Sequence, residues 1–84
     1  MLILCDFVRL GTADAVYDYL EKELSLPAYF GRNLDALHDC LTDMGAPTRL
    51  ILTGASSPCG QRFLPVMRDA ARQNRQLSVE VHEG

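Results

Sequence analysis

Three short apolar runs constrain this chain more than any other feature: residues 1–5 (Met-Leu-Ile-Leu-Cys), 50–53 (Leu-Ile-Leu-Thr) and 77–81, where Leu77, Val79 and Val81 alternate with Ser78 and Glu80. Each has the length of a strand, and each is followed or preceded by far more residues than a hairpin needs. Connections that long carry helices, and strands joined through helices pair in parallel with right-handed crossovers. The first run is apolar almost throughout, the pattern of a strand covered on both faces. The last is a strand with one wetter face.

The connections supply the helices. Thr12 is a helix cap, and Ala13, Val16, Tyr17, Leu20 and Leu24 form one apolar stripe from Ala13 to Leu24, with Asp14 in the first turn. Glu21, Lys22 and Glu23 read as its solvated side. Leu26-Pro27 ends it, because a residue before proline avoids the helical region. A second helix starts at the Asn33 cap, carries Leu34, Leu37 and Leu41 on one face, and closes through Met44-Gly45-Ala46-Pro47 with glycine as the expected cap. Residues 54–60 form a loop, in which Pro58 could open a helical turn after Ser57. Phe63, Leu64, Val66, Met67, Ala70 and Ala71 mark a third helix. Proline breaks a helix interior, so this helix is predicted to begin near Phe63 or Leu64, with Pro65 in its first turn. Arg72 and Arg75 suit its C-terminal end. The expected class is α/β: a three-stranded parallel sheet packed against about three helices, as one domain over residues 1–84.

Eighty-four residues hold one core and little more; a chain this short buries only about 60% of its unfolded surface. No apolar run approaches the roughly 18–20 residues of a membrane span, and the first residues lack the marks of a signal peptide. Cys5, Cys40 and Cys59 are an odd number with no zinc-like spacing. Cys5 and Cys40 lie in apolar segments, as buried free thiols do. These features favour a reducing, cytoplasmic setting.

The second helix carries a less ordinary stripe. Asp35, Asp39 and Asp43 recur at four-residue spacing, and like charges so placed cost a helix roughly 0.2–0.5 kcal/mol per pair. Only Asp35 gains from the helix dipole. Charge runs are usually just solvated faces, but this one has a suggestive neighbourhood. From Asp14 to Asp43 there are seven acids against Lys22 and Arg32, a net of −5; from Met44 onward five arginines face three acids, a net of +2. The overall −3 argues against binding a phosphate backbone, and the asymmetry suggests a basic partner for the acidic half. Tyr29 and Phe30 sit just ahead of the helix, and interfaces enrich aromatics. Tyr29 is expected outside and Phe30 inside, since a phenol keeps a polar handle.

Catalytic arrangements do not emerge. Asp35 and Asp39 share one helix instead of facing each other across a cleft. His38, Asp39 and Cys40 are consecutive and so splay around a helix. The 54–60 loop lacks the spacing and the lysine of a phosphate-binding loop, and Gly54-Ala-Ser-Ser-Pro58 lacks the second glycine of a nucleophile elbow. No cofactor or metal is implied, and the chain is not expected to be an enzyme.

The segment from Leu26 to Thr42, Leu-Pro-Ala-Tyr-Phe-Gly-Arg-Asn-Leu-Asp-Ala-Leu-His-Asp-Cys-Leu-Thr, resembles the hallmark of the barstar family of intracellular ribonuclease inhibitors. The likeness is dense over residues 16–42 and collinear beyond them. It implies the same three-stranded parallel sheet, with the loop and second helix plugging a ribonuclease active site. Tyr29 matches the family's loop tyrosine, Asn33 and Leu34 its helix start, and Asp35 and Asp39 its two key acids. Thr42 ends the motif, and Asp69 aligns with an acidic position on the last helix. His38 stands where the family usually has tryptophan, and Asp69 is one methylene shorter than the glutamate of a relative.

The resemblance thus implies a partner-binding set of Tyr29, Asn33, Leu34, Asp35, His38, Asp39, Thr42 and Asp69, directed at a basic secreted ribonuclease. The acids would mimic RNA phosphates, and the chain would be monomeric when free and bind neither nucleic acid nor membrane. The alternatives are immunity to a different basic nuclease toxin, or a non-catalytic regulatory module that keeps the fold.

Overall fold

A central strand flanked in parallel on both sides organises the fold. The computed structural model describes residues 1–27 and 30–82. The elements run β1 (Leu2–Asp6), α1 (Phe7–Leu10), α2 (Ala13–Leu24), α3 (Leu34–Thr42), β2 (Thr48–Thr53), α4 (Pro58–Gln73) and β3 (Leu77–His82). The sheet order is β1-β2-β3, all parallel. The α/β class and the three parallel strands are as expected.

Register shows which face is buried. Ile3, Leu50 and Val79 are partners across the sheet, as are Cys5, Leu52 and Val81. These rows face the core, where Phe7, Leu20, Leu37, Leu41, Leu50, Leu52, Phe63 and Met67 are fully buried. The intervening rows, Leu2–Arg49–Ser78 and Leu4–Ile51–Glu80, point the other way. Leu2 and Leu4 are 58% and 60% exposed. The expectation that β1 is covered on both faces is therefore wrong. The apolar run reflects a one-sided strand whose outer residues also happen to be apolar. On that outer face Arg49 pairs with Glu80 and holds its carboxyl below the usual range.

Local chemistry sets the helix ends. The short α1 was not expected. Asp6 caps it by accepting from Val8 and Arg9, and Gly11, at φ 77°, closes it by donating to Phe7 at 2.9 Å. α2 has the expected bounds. Thr12 accepts from Ala15 at 3.2 Å, and Ser25 in the left-handed region (φ 52°) ends the helix before Pro27 is reached.

Two expectations about helix ends fail. Gly45 is not a left-handed cap; α3 ends instead at Asp43 in ordinary helical geometry (φ −88°). α4 starts five or six residues earlier than predicted, with Ser57 as cap and Pro58 in the first turn, so Pro65 lies in its interior. Pro65 lies on the exposed side of the helix, while Phe63, Met67 and Ala70 keep the opposite face continuous with the core. The early start depends on Gly60: a Cβ there would lie 2.6 Å from the Ala55 Cα and from the Gly54 carbonyl oxygen.

Aromatic rings join the layers. Phe7 stacks on Phe63 with centroids 6.0 Å apart, and Tyr17 meets Phe63 and Phe30 edge-on at 5.3 and 5.8 Å. Phe30 is buried, as expected.

Candidate functional site

α3 has one side in the core and the other in solvent. Leu37 and Leu41 are fully buried, and Leu34 packs half-buried against the same cluster. A 3.6-residue repeat then obliges Asp35, Asp39 and Asp43 to point outward, and all three are exposed. The Asp39 side chain is 84% exposed. Asn33 starts the helix: its Oδ1 accepts the Ala36 N–H at 2.8 Å and its Nδ2 donates to the Gly31 carbonyl at 3.3 Å. The Thr42 hydroxyl donates to the His38 carbonyl at 2.7 Å, so it is already engaged with its own helix.

His38 connects α3 to α4. Its Nε2 lies 2.7 Å from Asp69 Oδ2, and because a carboxylate only accepts, this nitrogen carries the proton. Gln73 Nε2 donates to the same Asp69 oxygen at 2.9 Å, and Arg72 approaches the other at 3.5 Å. The second ring nitrogen, Nδ1, is 4.0 Å from Asp39. His38 therefore sits between Asp39 on its own helix and Asp69 on the next. The side chain of Asp69 remains 47% exposed.

Of the sequence-derived site residues, the structure brings His38, Asp39 and Asp69 into one cluster. Asp35 lies one turn before Asp39 on the same helix. Asn33, Leu34 and Thr42 lie at the two ends of α3, with Asn33 and Thr42 in structural hydrogen bonds. Tyr29 lies outside the described residues. Among the described residues no ion pair involves Asp35 or Asp43, and no group of three or more histidine, cysteine or acidic side chains is placed to hold a metal.

Three contributors escaped the sequence reading. Gln73 shares Asp69 with His38. Asn74, at the end of α4, donates from Nδ2 to the carbonyls of Leu41 and Met44, each at 2.9 Å, and so satisfies the last turn of α3 from another element. Arg32 binds the acids of α2: its Nη1 is 2.9 Å from Asp18 and 2.7 Å from Glu21, and its Nη2 donates to the Asp14 carbonyl at 3.2 Å. The Asp14, Asp18, Glu21 spacing was legible as a helical stripe, but nothing local names the cation that meets it. Arg32, already counted in the −5 of this half, gathers three of its seven acids around one charge, whereas Asp35 and Asp43 on the α3 stripe have no ion-pair partner among the described residues.

The cysteines are all free thiols. Burial, and then the carboxylates of Asp39 and Asp43, push the half-buried Cys40 thiol up from its ordinary value. It is thus a weakened nucleophile.

Comparison with known proteins agrees with this architecture. A family model described as "Barstar (barnase inhibitor)" matches residues 1–82. A Bacillus subtilis (strain 168) protein described as "Putative ribonuclease inhibitor YrdF" is 48% identical over 40 residues, an alignment covering 46% of this chain and 44% of that protein. The alignment thus spans less than half the length of this relative. With the family model matched over nearly the whole length and the sheet order in place, the chain belongs to the barstar family.

Proposed function

We propose that this protein inhibits a basic ribonuclease by seating α3 and the segment before it in the enzyme's active cleft. The observation that carries the reading is the exposed acidic side of α3. Asp35 and Asp39 stand one turn apart on a helix whose opposite side is fixed in the core, and Asp35 has no cationic partner among the described residues. A ribonuclease cleft holds phosphates with arginine and lysine. Two carboxylates on a rigid helix offer those cations charge-assisted hydrogen bonds in place of the phosphates. The Asp35–Asp39 repulsion, a cost in the free protein, is relieved when the cations arrive.

Asp39 is the centre of this surface and Asp35 its support. Asp43 contributes to the long-range field, which speeds association and is screened by salt. Asp69 and His38 border the same face. Leu34 offers apolar contact at its edge.

Titration of a cognate basic ribonuclease with wild type and Asp39→Ala tests the proposal. Removing one member of a desolvated charge pair costs about 2–5 kcal/mol of affinity, and an exposed side chain is removed without unfolding the helix. Unchanged inhibition by Asp39→Ala would sink the reading. Inhibition of a basic deoxyribonuclease but of no ribonuclease would redirect it to a different nuclease with the same surface.

A further inference from the structure

Arg32 occupies a strained position. It lies between Gly31 and the Asn33 cap of α3 with φ 53°, a left-handed conformation that costs a non-glycine residue energy. Its guanidinium reaches back across α2. Besides Asp18, Glu21 and the Asp14 carbonyl, it has the Asp14 carboxylate at 3.9 Å and lies over the Tyr17 ring, with its central carbon 5.8 Å from the centroid. Asp14, Tyr17, Asp18 and Glu21 share one face of α2, so a single side chain is gripped by an entire helical stripe. The hydrogen bonds it donates to Glu21 and then to Asp18 hold its pKa above the ordinary arginine value. Tyr17 in turn is buried against Phe30 and Phe63. The contact therefore runs from the entry of α3, through Arg32, into the core.

We propose that Arg32 is a positioning residue that latches the entry of α3 to α2 and so presets the Asp35–Asp39 surface for its target. The inference rests on the inhibitor reading above and adds a residue that does not itself face the nuclease cations. It makes a counter-intuitive prediction. By charge alone, deleting a cation from an acidic protein strengthens attraction to a basic partner. By positioning, the same deletion loosens the entry of α3, so binding must first pay to order it.

Arg32→Gln separates the two effects. The expected result is about tenfold weaker inhibition, the size typical of a lost preorganising contact, carried by faster dissociation. It comes with faster amide exchange over residues 30–36 of the free protein and unchanged exchange in β2 and α4. The charge-reversed pair Arg32→Glu with Glu21→Arg is expected to recover slow exchange and part of the affinity, which a generic folding defect would not do. Equal or tighter inhibition by Arg32→Gln, or unchanged exchange over residues 30–36, would overturn the latch. Asp39→Ala measured in parallel keeps the failures apart. If it weakens inhibition while Arg32→Gln does not, only the latch fails. If Asp39→Ala has no effect, the inhibitor reading itself fails, and the exchange data still decide whether Arg32 orders the α3 entry.

Discussion

Cys5 shows how far burial alone can move one side chain. It is 1% exposed, and burial, followed by the nearby Cys59 and Asp6, pushes its thiol from 9.0 up to about 12. Below the ordinary value both folded and unfolded chains hold the proton, and stability is unaffected. Above it the unfolded chain releases a proton that the folded chain keeps, so stability falls as pH rises towards the folded value. Urea unfolding at about pH 8 and about pH 10 is expected to differ by about 1.4 kcal/mol from this thiol alone. Burial raises Cys40 and Cys59 as well, so both add in the same direction. Cys5→Ala should be less stable at both pH values, yet show a shallower decline between them. A decline as steep as that of wild type would show that Cys5 does not carry the effect. The same residue-scale logic separates the acids. Asp39 and Asp69 both neighbour His38, but Asp39 is exposed while Asp69 is shared among three donors from two helices.

At the scale of elements, α3 is held by groups that lie far away in sequence. Its apolar face, its Asn33 cap and its acidic stripe were all readable from spacing. Its end was not: the helix stops at Asp43 without the expected glycine cap, and carbonyls at and just beyond its last turn are met by a side chain from the end of α4. Asn74 is buried, and with two donated hydrogen bonds and an Oδ1 that accepts the Gln76 N–H at 2.9 Å, it joins α3, α4 and the approach to β3. Asn74→Ala removes a donor from two carbonyls, of which Leu41's keeps the Met44 N–H at 3.4 Å, and is expected to cost about 1–3 kcal/mol in chemical denaturation, with faster amide exchange in the last turn of α3. A loss below a few tenths of a kcal/mol would mean that water replaces the amide there. The misplaced start of α4 has the same origin. A local rule against interior proline gave way to packing: Phe63, Met67 and Ala70 need one uninterrupted helix, and Gly60 lets its first turn approach the loop at Ala55.

The whole molecule is a sheet with one covered face. Leu4 and Leu50 sit on neighbouring strands and are chemically identical, yet Leu4 is 60% exposed and Leu50 is fully buried. Leu50→Ala should cost about 2–5 kcal/mol, as a lost core side chain does. Leu4→Thr should change stability by no more than about 0.5 kcal/mol, since threonine suits a strand and little burial is lost. Thermal unfolding of the two variants compares them directly, and a large loss from Leu4→Thr would show that the outer face is covered in solution. The one-sided layering also brings candidate site residues together. With the helices on a single side of the sheet, α3 lies against α4, and His38 meets Asp69 and Gln73 across that contact.

By itself the sequence determined the parallel α/β class, the approximate span of α2, the capped start of α3, and the outward direction of Asp35, Asp39 and Asp43. All of these follow from periodicity and from caps that act within a few residues. Only the tertiary structure decided which face of β1 is buried, how α3 ends, that α4 runs through Pro65, and which acids remain unpaired on the candidate surface. Each of those depends on a partner distant in the chain. Arg32 answers Asp14, Asp18 and Glu21, Asn74 answers Leu41 and Met44, and His38 answers Asp69. Spacing along a chain reports the direction of a side chain, whereas its partner is set by how the elements pack.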